Sequence, residues 1–271
     1  MIQQFSPITL GARLKSIDAA GFVLTETSHA PDHELPRHRH ELTNICFVLA
    51  GSYTEIVNRR MIECGPQSLL IKPPGEAHAN RYGHRGMRSL LIEMQRNQLD
   101  VFRSCAGALD QVRHARGGLL SMLGMRIYKE FLLMDGASTL AIEGLMLELV
   151  ANISRYPDTS KHSYPGWLKR AKEIFDSSFH ESLSLARVAN AVDVHPVTLA
   201  RAFRRHIGCT PGEYIRHLRI AFACGELAGS GRPLVDIALA AGFAHQSHFS
   251  RVFKAHTGMT PAEFRSARRS C

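Results

Sequence analysis

The chain has 271 residues, of which 45 % are hydrophobic and 21 % charged; this composition argues against disorder and suits two domains that each bury a core. No apolar run approaches the roughly 18 to 20 residues that a membrane span requires, and the N-terminal segment lacks the apolar stretch of a signal peptide, so we expect a soluble, cytoplasmic protein. The six cysteines form no C-x-x-C pair, which argues against a disulfide framework and a cysteine-rich zinc site, whereas the net charge of +9 leaves a polyanionic partner open.

Short β-rich runs, separated by turns rich in glycine and proline, occupy residues 20–95. The runs are FVLTET, NICFVL, SYTEIVN, SLLIK and SLLIEM. Regularly spaced short strands with such turns predict a small β-sandwich or barrel. We therefore predict a first domain over residues 1–155, with a barrel at about 20–95.

Three histidines in this segment are spaced as metal ligands would be. His38 and His40 lie on one face of an extended segment, and His78 follows the PPGEAH turn. The order of H-x-H, a glycine and P-x-G-x-x-H resembles the two motifs of the cupin family, in which such histidines bind a divalent metal. Where the cupin glutamate would fall, the chain has Asn44, and Glu41 is misplaced by three residues.

The cupin resemblance leaves two sites open. One is a divalent metal site with His38, His40 and His78 as ligands. The other is an apolar effector pocket in which the same histidines and Asn44 are polar donors, and we favour this second interpretation.

Two segments with helical apolar spacing follow the predicted barrel, at about 117–155. In the second segment Leu140, Leu145, Leu149 and Ile153 form one stripe, and a serine-threonine pair at its start can cap the helix. Two antiparallel helices are expected, which either cover the barrel core or mediate dimerisation. The two roles are compatible.

A linker is predicted at residues 156–166, and a second domain at residues 167–271. Residues 1–165 contain 18 Lys and Arg against 16 Asp and Glu, whereas residues 166–271 contain 15 against 8, so most of the excess positive charge lies in the smaller part. Concentrated positive charge is typical of proteins that bind nucleic acid, although it also fits a surface that only aids solubility.

The C-terminal part contains an internal repeat with a spacing of 50 residues. The first copy is Arg201, Phe203, Arg204, His206, Gly208, Thr210, Pro211, Glu213 and Tyr214, and the second is Arg251, Phe253, Lys254, His256, Gly258, Thr260, Pro261, Glu263 and Phe264. Both copies contain T-P-x-E, in which threonine caps a helix, proline is its first residue and glutamate reaches back to the cap. The repeated unit is therefore a capped helix that follows another helix.

A short apolar helix and a tight turn precede each repeated helix, with the turns at Asp193-Val194 and Gly242-Phe243. A short helix, a turn and a second helix describe the helix-turn-helix, whose second helix lies in the major groove. The two units are predicted at about 184–206 and 234–256. One continuous helix between them would hold the recognition helices about one DNA turn, roughly 34 Å, apart.

The segment resembles the DNA-binding domain of the AraC/XylS family of bacterial regulators. The matching tracts are WLKRAKEIF, LARVANAVDVHPVTLARAFRRHIGCTPGEYIRHLRIAFA and IALAAGFAHQSHFSRVFKAHTGMTPAEFR, about 100 nearly contiguous residues. The resemblance implies an α+β multidomain regulator: a cupin-like β-barrel with two helices, then an all-α domain with two helix-turn-helix units joined by a long helix. The implied partners are double-stranded DNA, a small-molecule effector, a second copy of the chain through the two helices after the barrel, and RNA polymerase.

The resemblance also assigns the DNA contacts to the exposed faces of the recognition helices. The matching positions are Val197, Thr198, Ala200 and Arg201, then Gln246, Ser247, His248, Ser250 and Arg251. Both arginines can bond bidentately to guanine, and the glutamine can pair with adenine. Arg204, Arg205 and Lys254 are expected on phosphates. The alternative for Arg201 and Arg251 is a salt bridge within the motif.

Two other functions stay open on the residues alone. One is a cupin metalloenzyme, an oxygenase or isomerase, fused to a DNA-binding tail. The other is a barrel that only dimerises and binds no effector. The missing cupin glutamate, and the absence of G-x-S-x-G, H-E-x-x-H and phosphate-loop motifs, argue against an enzyme, so we predict no catalytic residues.

Overall fold

The computed structural model describes residues 3–4, 11–95, 98, 102, 106–155, 165–207 and 209–269, so most of the predicted linker at 156–166 lies outside these ranges. The strands are β1 Gln3–Gln4, β2 Ala12–Ala19, β3 Phe22–His29, β4 Glu34–Arg39, β5 Thr43–Val57, β6 Arg60–Cys64, β7 Ser68–Lys72, β8 His78–Met94 and β9 Arg113–Arg116. The helices are α1 Ala106–Leu109, α2 Gly118–Leu133, α3 Ser138–Arg155, α4 Gly166–Ser178, α5 Leu185–Ala191, α6 Pro196–Ile207, α7 Pro211–Gly229, α8 Leu234–Ala240, α9 Gln246–Thr257 and α10 Pro261–Arg269.

Two long bent strands, β5 and β8, are the frame of the N-terminal sheet. The register of their antiparallel ladder shifts on both sides of Gly51, which has a φ of 71°. A Cβ atom at Gly51 would lie 2.0 Å from the carbonyl oxygen of Gly86, so only glycine permits this close approach of the two strands. The Ala50-Gly51 pair therefore bends one strand, and the prediction of two separate strands at NICFVL and SYTEIVN is wrong.

The bend gives each long strand two sets of neighbours. The first half of β5 pairs with β7 and its second half with β6, while β8 pairs with β4 through its first half and with β3 through its second. The sheet thereby folds over itself in the barrel-like arrangement that the sequence predicts. β2 pairs with β3, and β9 adds an edge strand beside β7 that the sequence analysis did not predict.

Alternate side chains of the sheet enter two different cores, as the period of two requires. Ile45 and Phe47 pack in the cluster that contains the apolar residues of α2 and α3, whereas Cys46 belongs to an interior cluster with Tyr53 and Tyr82. The helix α2 lies directly on the outer face, because a Cβ at Gly124 would be 2.7 Å from the Phe47 ring. The interior of the barrel is left for the polar residues described below.

The two helices predicted at about 117–155 are α2 and α3, but the predicted stripe on α3 is only partly correct. Leu145, Leu149 and Ile153 are buried, whereas Leu140 is 75 % exposed. The buried face includes Ser138 and Ile142, and a residue two positions away from either of them on an α-helix is rotated by about 200°. Leu140 therefore lies on the opposite face.

The C-terminal helices pack in two clusters that share α7. Tyr214 at the start of α7 belongs to the cluster of the first helix-turn-helix, and Ile220 further along belongs to the cluster of the second. The second cluster is continuous with the N-terminal core: the rings of Tyr128 on α2 and Phe264 on α10 are 6.3 Å apart.

The domain boundaries at 155 and 167 stay a prediction. Of the helices that the structure describes, none combines the length and the hydropathy needed to cross a bilayer.

Candidate nucleic-acid interface and barrel site

The turns of the two helix-turn-helix units have the same local geometry. The amide of Val194 donates to the carbonyl of Ala189 at 3.0 Å, and the amide of Phe243 donates to the carbonyl of Ala238 at 2.9 Å. The residue before each donating amide has a positive φ, 56° at Asp193 and 85° at Gly242. Aspartate tolerates this left-handed conformation and glycine favours it, so each sequence can form the same turn.

Both predicted capping boxes are confirmed. The amide of Glu213 donates to the hydroxyl of Thr210 at 3.2 Å, while the amide of Thr210 donates to the Glu213 carboxylate at 2.7 Å. Thr260 and Glu263 repeat both bonds with the same two distances. The helices that follow the recognition helices therefore begin at equivalent residues in the two units.

Each recognition helix buries an apolar stripe and leaves the opposite face open. Leu199 and Phe203 on α6, and Phe249 and Phe253 on α9, are fully buried. The exposed residues among the predicted DNA contacts are Val197, Thr198, Arg201, Arg204, Arg205, Gln246, Ser247, His248, Arg251 and Lys254. Ala200 and Ser250 are half-buried. Both predicted reading faces are thus accessible from solvent.

The two arginines predicted to read bases have no competing structural role among the ion pairs of the described residues, in which neither Arg201 nor Arg251 takes part. By contrast, Nδ1 of His256 donates to the carbonyl of Val252 at 3.0 Å, one turn earlier on α9. The histidine at the end of this helix is therefore bound to its own backbone, whereas the arginines are available to a partner.

The three predicted barrel histidines come together at one end of the barrel interior. His38 on β4 and His78 on β8 are register partners with ring centroids 4.3 Å apart, and His40 is 5.2 Å from each ring. One ring nitrogen of each histidine lies within 4.8 Å of the others. The sequence pattern therefore selected residues that the fold brings together.

Backbone carbonyls set the tautomers of two of these histidines. Nδ1 of His38 donates to the carbonyl of Pro36 at 2.8 Å, and Nδ1 of His78 donates to the carbonyl of Glu76 at 2.9 Å. Since a carbonyl only accepts, both neutral rings present the lone pair of Nε2. Burial lowers the pKa of His38 and His78 and lowers the pKa of His40 to about 3, so all three rings are neutral at pH 7.

Sequence reasoning missed the charged pair beside these histidines. The ammonium of Lys72, at the end of β7, donates to Nε2 of His78 at 3.0 Å and to the carboxylate of Glu55 at 3.3 Å. The amide of Asn80 donates to the same carboxylate at 3.0 Å. Burial raises the pKa of Glu55, and Lys72 opposes that shift. Glu55 lies two residues from the buried Tyr53 and two from the buried Val57, so the period of two along a strand places all three side chains on the same inward face.

Asn44, predicted to replace the cupin glutamate, lies apart from the inner cavity. Its side chain is fully buried on β5 between Lys72 and Glu93 of the neighbouring strands, and within the part of the chain that the structure describes its amide has no hydrogen-bond partner. The described residues that line the inner cavity of about 40 Å³ include His38 and His40 but not Asn44 or His78.

A larger cavity, which we call the mouth cavity, opens beside the inner one. It has a volume of about 610 Å³ and shares the walls Tyr53 and Tyr82 with the inner cavity. Its far side contains Arg116 of β9 and Asp176 of α4, which form an ion pair at 3.7 Å. The hydroxyl of Tyr214 on α7 donates to Asp176 at 2.6 Å. The cavity therefore borders both the sheet and α4, the helix that packs in the same cluster as the first helix-turn-helix.

Two exposed helix-turn-helix units beside a barrel with internal cavities define a DNA-binding transcriptional regulator with an N-terminal ligand-binding domain. The family model of the AraC-like ligand binding domain matches residues 23–150, and that of a helix-turn-helix domain matches residues 188–267. The chain belongs to the AraC family of transcriptional regulators, and it is a DNA-binding protein of that type.

The chain is similar to two curated proteins and to one solved structure over the following lengths. The chain is 38 % identical over 86 residues to the probable transcription factor PqrA of Proteus vulgaris, which covers 32 % of this chain and 70 % of the relative. It is 23 % identical over 264 residues to the transcriptional activator RhaR of an Enterobacter species, which covers 91 % and 92 %. A crystal structure of an AraC-type regulator from Chromobacterium violaceum is 32 % identical over 38 % of this chain and 91 % of its own, with a TM-score of 0.36.

Proposed function

We propose that Arg201 and Arg251 read bases in two consecutive segments of the major groove, while Arg204, Arg205 and Lys254 bind phosphates. One observation supports this proposal. The chain contains two equivalent capped units, and the arginine of each is exposed and forms no ion pair with described residues. A free guanidinium on a recognition helix fits O6 and N7 of guanine. Gln246 on the second helix adds a partner for adenine.

Binding of the full chain to DNA selected from a random pool tests this proposal. The Arg251→Ala variant should lose about 1 to 3 kcal/mol of binding free energy on the selected sequence and show relaxed preference at one base pair. Arg60→Ala, which removes an equal charge from the exposed strand β6, is the matched control and should keep wild-type binding. A base preference of Arg251→Ala that equals that of the wild type contradicts the base-reading role.

We also propose that a small-molecule effector controls the protein and binds in the mouth cavity. Ligand pockets usually measure about 300 to 1,000 Å³, a range that includes the 610 Å³ of this cavity. The inner cavity of about 40 Å³ has room for only a few water molecules. We therefore propose that no effector binds at the predicted pocket of His38, His40, Asn44 and His78. The effector would bind in the mouth cavity, on the other side of Tyr53 and Tyr82.

The walls of the mouth cavity suggest how binding reaches the DNA-binding part. An effector beside the Arg116–Asp176 pair would contact both β9 and α4, so its affinity depends on how these elements are placed. Only such a difference in affinity between two arrangements can shift DNA binding.

A reporter gene screened against small molecules can identify an effector, and Ser52→Trp then tests the location. Ser52 lines the mouth cavity and is exposed, so tryptophan should fill the cavity and abolish the response while DNA binding persists. Arg60→Trp on β6 is the control for surface bulk. A normal response of Ser52→Trp, together with loss of response in a variant of the inner histidines, would place the effector in the barrel interior.

The exposed face of α3 contains two leucines that can mediate dimerisation. Leu140 and Leu147 lie one heptad apart on α3 and are 75 % and 44 % exposed, with Gly144 between them, so this face is proposed to pair with a second copy.

We further propose that the protein acts through contacts with RNA polymerase and has no enzymatic activity. The relative with the longest match described above is named a transcriptional activator, which supports both points.

A further inference from the structure

The buried ammonium of Lys72 lies beside the cluster of barrel histidines. Its ammonium lies 3.0 Å from Nε2 of His78, the atom that presents a lone pair because the other ring nitrogen is bound to a carbonyl. It lies 3.3 Å from the carboxylate of Glu55 as well. The lysine is 5 % exposed, so no bulk water surrounds this charge.

A divalent metal would need the same atoms. Zinc lies about 2.0 to 2.1 Å from the imidazole nitrogen whose lone pair it binds, and cupin-type sites add a carboxylate to their histidines. Here Lys72 already occupies the lone pair of His78, and the carboxylate of Glu55 is bound by Lys72 and Asn80. A metal ion at the histidines would also face an adjacent ammonium in a medium of low polarity, where repulsion is weakly screened. The residues present therefore do not fit a metal.

We propose that Lys72 is an internal cation that takes the place of a metal ion, so that the cluster of His38, His40 and His78 is closed to divalent metals in the native protein. The lysine neutralises the buried Glu55 and uses the lone pair of His78, the two functions that a metal would have in a cupin site. The three histidines thus keep the spacing of metal ligands, while the positive charge among them is supplied by Lys72.

The proposal predicts that removal of the lysine charge creates a metal site. In the Lys72→Met variant the three imidazoles and Glu55 become available as ligands, and Co²⁺ should bind with one equivalent and the visible absorption of tetrahedral Co²⁺. Binding should be at least about 100-fold tighter than in the wild type, since one buried positive charge has been removed next to the ion. The wild type, stripped with EDTA, should bind no stoichiometric Co²⁺ under the same conditions.

Three further variants complete the experiment. Glu55→Gln/Lys72→Met avoids an unpaired buried carboxylate and keeps three histidine ligands, so it replaces Lys72→Met if that variant unfolds. Lys72→Met/His78→Ala should lose the new site, and Lys169→Met on the exposed face of α4 should behave as the wild type. Circular dichroism with thermal unfolding verifies that each variant is folded.

Two results would overturn the proposal. One is stoichiometric Co²⁺ binding by the wild type that is lost in His78→Ala, which would mean that the metal displaces the lysine. The other is a folded Lys72→Met or Glu55→Gln/Lys72→Met protein that binds no Co²⁺. The wild-type titration decides the first point whatever the variants do, and neither result bears on whether the protein binds DNA.

Discussion

The backbone amide of Gly118 donates a hydrogen bond of 3.1 Å to Nδ1 of His217. The bond joins the first residue of α2 to the middle of α7, and thereby the helices on the barrel to the helix shared by both helix-turn-helix units. Burial, with a smaller effect of the neighbouring His256, lowers the pKa of His217 to about 4. Protonation of Nδ1 would remove the acceptor, so the contact needs the neutral ring.

The first prediction concerns the pH dependence of stability. The unfolded chain takes up a proton on His217 near pH 6.5, whereas the folded protein resists it to about pH 4. The unfolded state therefore binds more protons between these values, and the free energy of unfolding falls as the pH is lowered through this window. Each such histidine contributes up to about 1.4 kcal/mol per pH unit.

Urea unfolding of the wild type and His217→Gln between pH 4.5 and 7.5 measures this contribution, because a glutamine oxygen can still accept from Gly118. The slope of stability against pH should be shallower in the variant, although other buried histidines such as His40 and His114 keep it above zero. His245→Gln, at an exposed position, is the control. Parallel curves for wild type and His217→Gln would contradict the prediction.

The second prediction concerns the phosphate contacts. Lys254→Ala should weaken binding to all DNA sequences alike and reduce the slope of log K against log salt by about 0.9, the value for one neutralised phosphate. Lys254→Arg keeps the charge and should keep the slope. Fluorescence anisotropy at several salt concentrations measures both, and an unchanged slope for the alanine variant would remove Lys254 from the phosphate contacts.

The third prediction concerns the turn of the second helix-turn-helix. Gly242 has a φ of 85°, and a Cβ there would lie 2.5 Å from the carbonyl oxygen of His180. Gly242→Ala should therefore lower the free energy of unfolding by at least about 1 to 2 kcal/mol. Gly212→Ala on α7 is the control, since a Cβ there meets nothing within 4 Å, and it should be neutral or slightly stabilising. Equal stabilities of the two variants in thermal unfolding would show that the turn has no steric constraint.

The fourth prediction concerns the exposed face of α3. Leu140→Asp/Leu147→Asp should convert a dimer to a monomer in sedimentation velocity, because two charges would be buried without partners at the proposed interface. Met61→Asp, at another exposed apolar residue, on β6, should leave the dimer intact. A wild-type protein that is monomeric at all concentrations, or a double variant that still dimerises, would rule out this face.

The DNA-binding part was largely predictable because its signals are local. A capping box such as Thr210 with Glu213 involves residues three apart, and the stripe of Leu199 and Phe203 spans one helical turn, so neighbouring letters are sufficient to predict them. The same reasoning misread Ala50-Gly51 as a turn, since a glycine at a bend and a glycine at a turn look alike until the opposite strand is known. It also placed Leu140 on the buried face, because one amphipathic segment does not identify which of its edges meets the core.

Short-range periodicity and recognisable spacing in the amino-acid sequence were sufficient to predict the two helix-turn-helix units, the exposure of their arginines and the convergence of the barrel histidines. The residues that lie beside those histidines, and the contacts between the two parts of the chain, could be identified only in the folded protein. Lys72 and Glu55 are 17 residues apart and Gly118 and His217 are 99 apart. Such pairs form only when the chain folds back on itself, and the low polarity of the interior then makes their contacts strong enough to select the chemistry of the site.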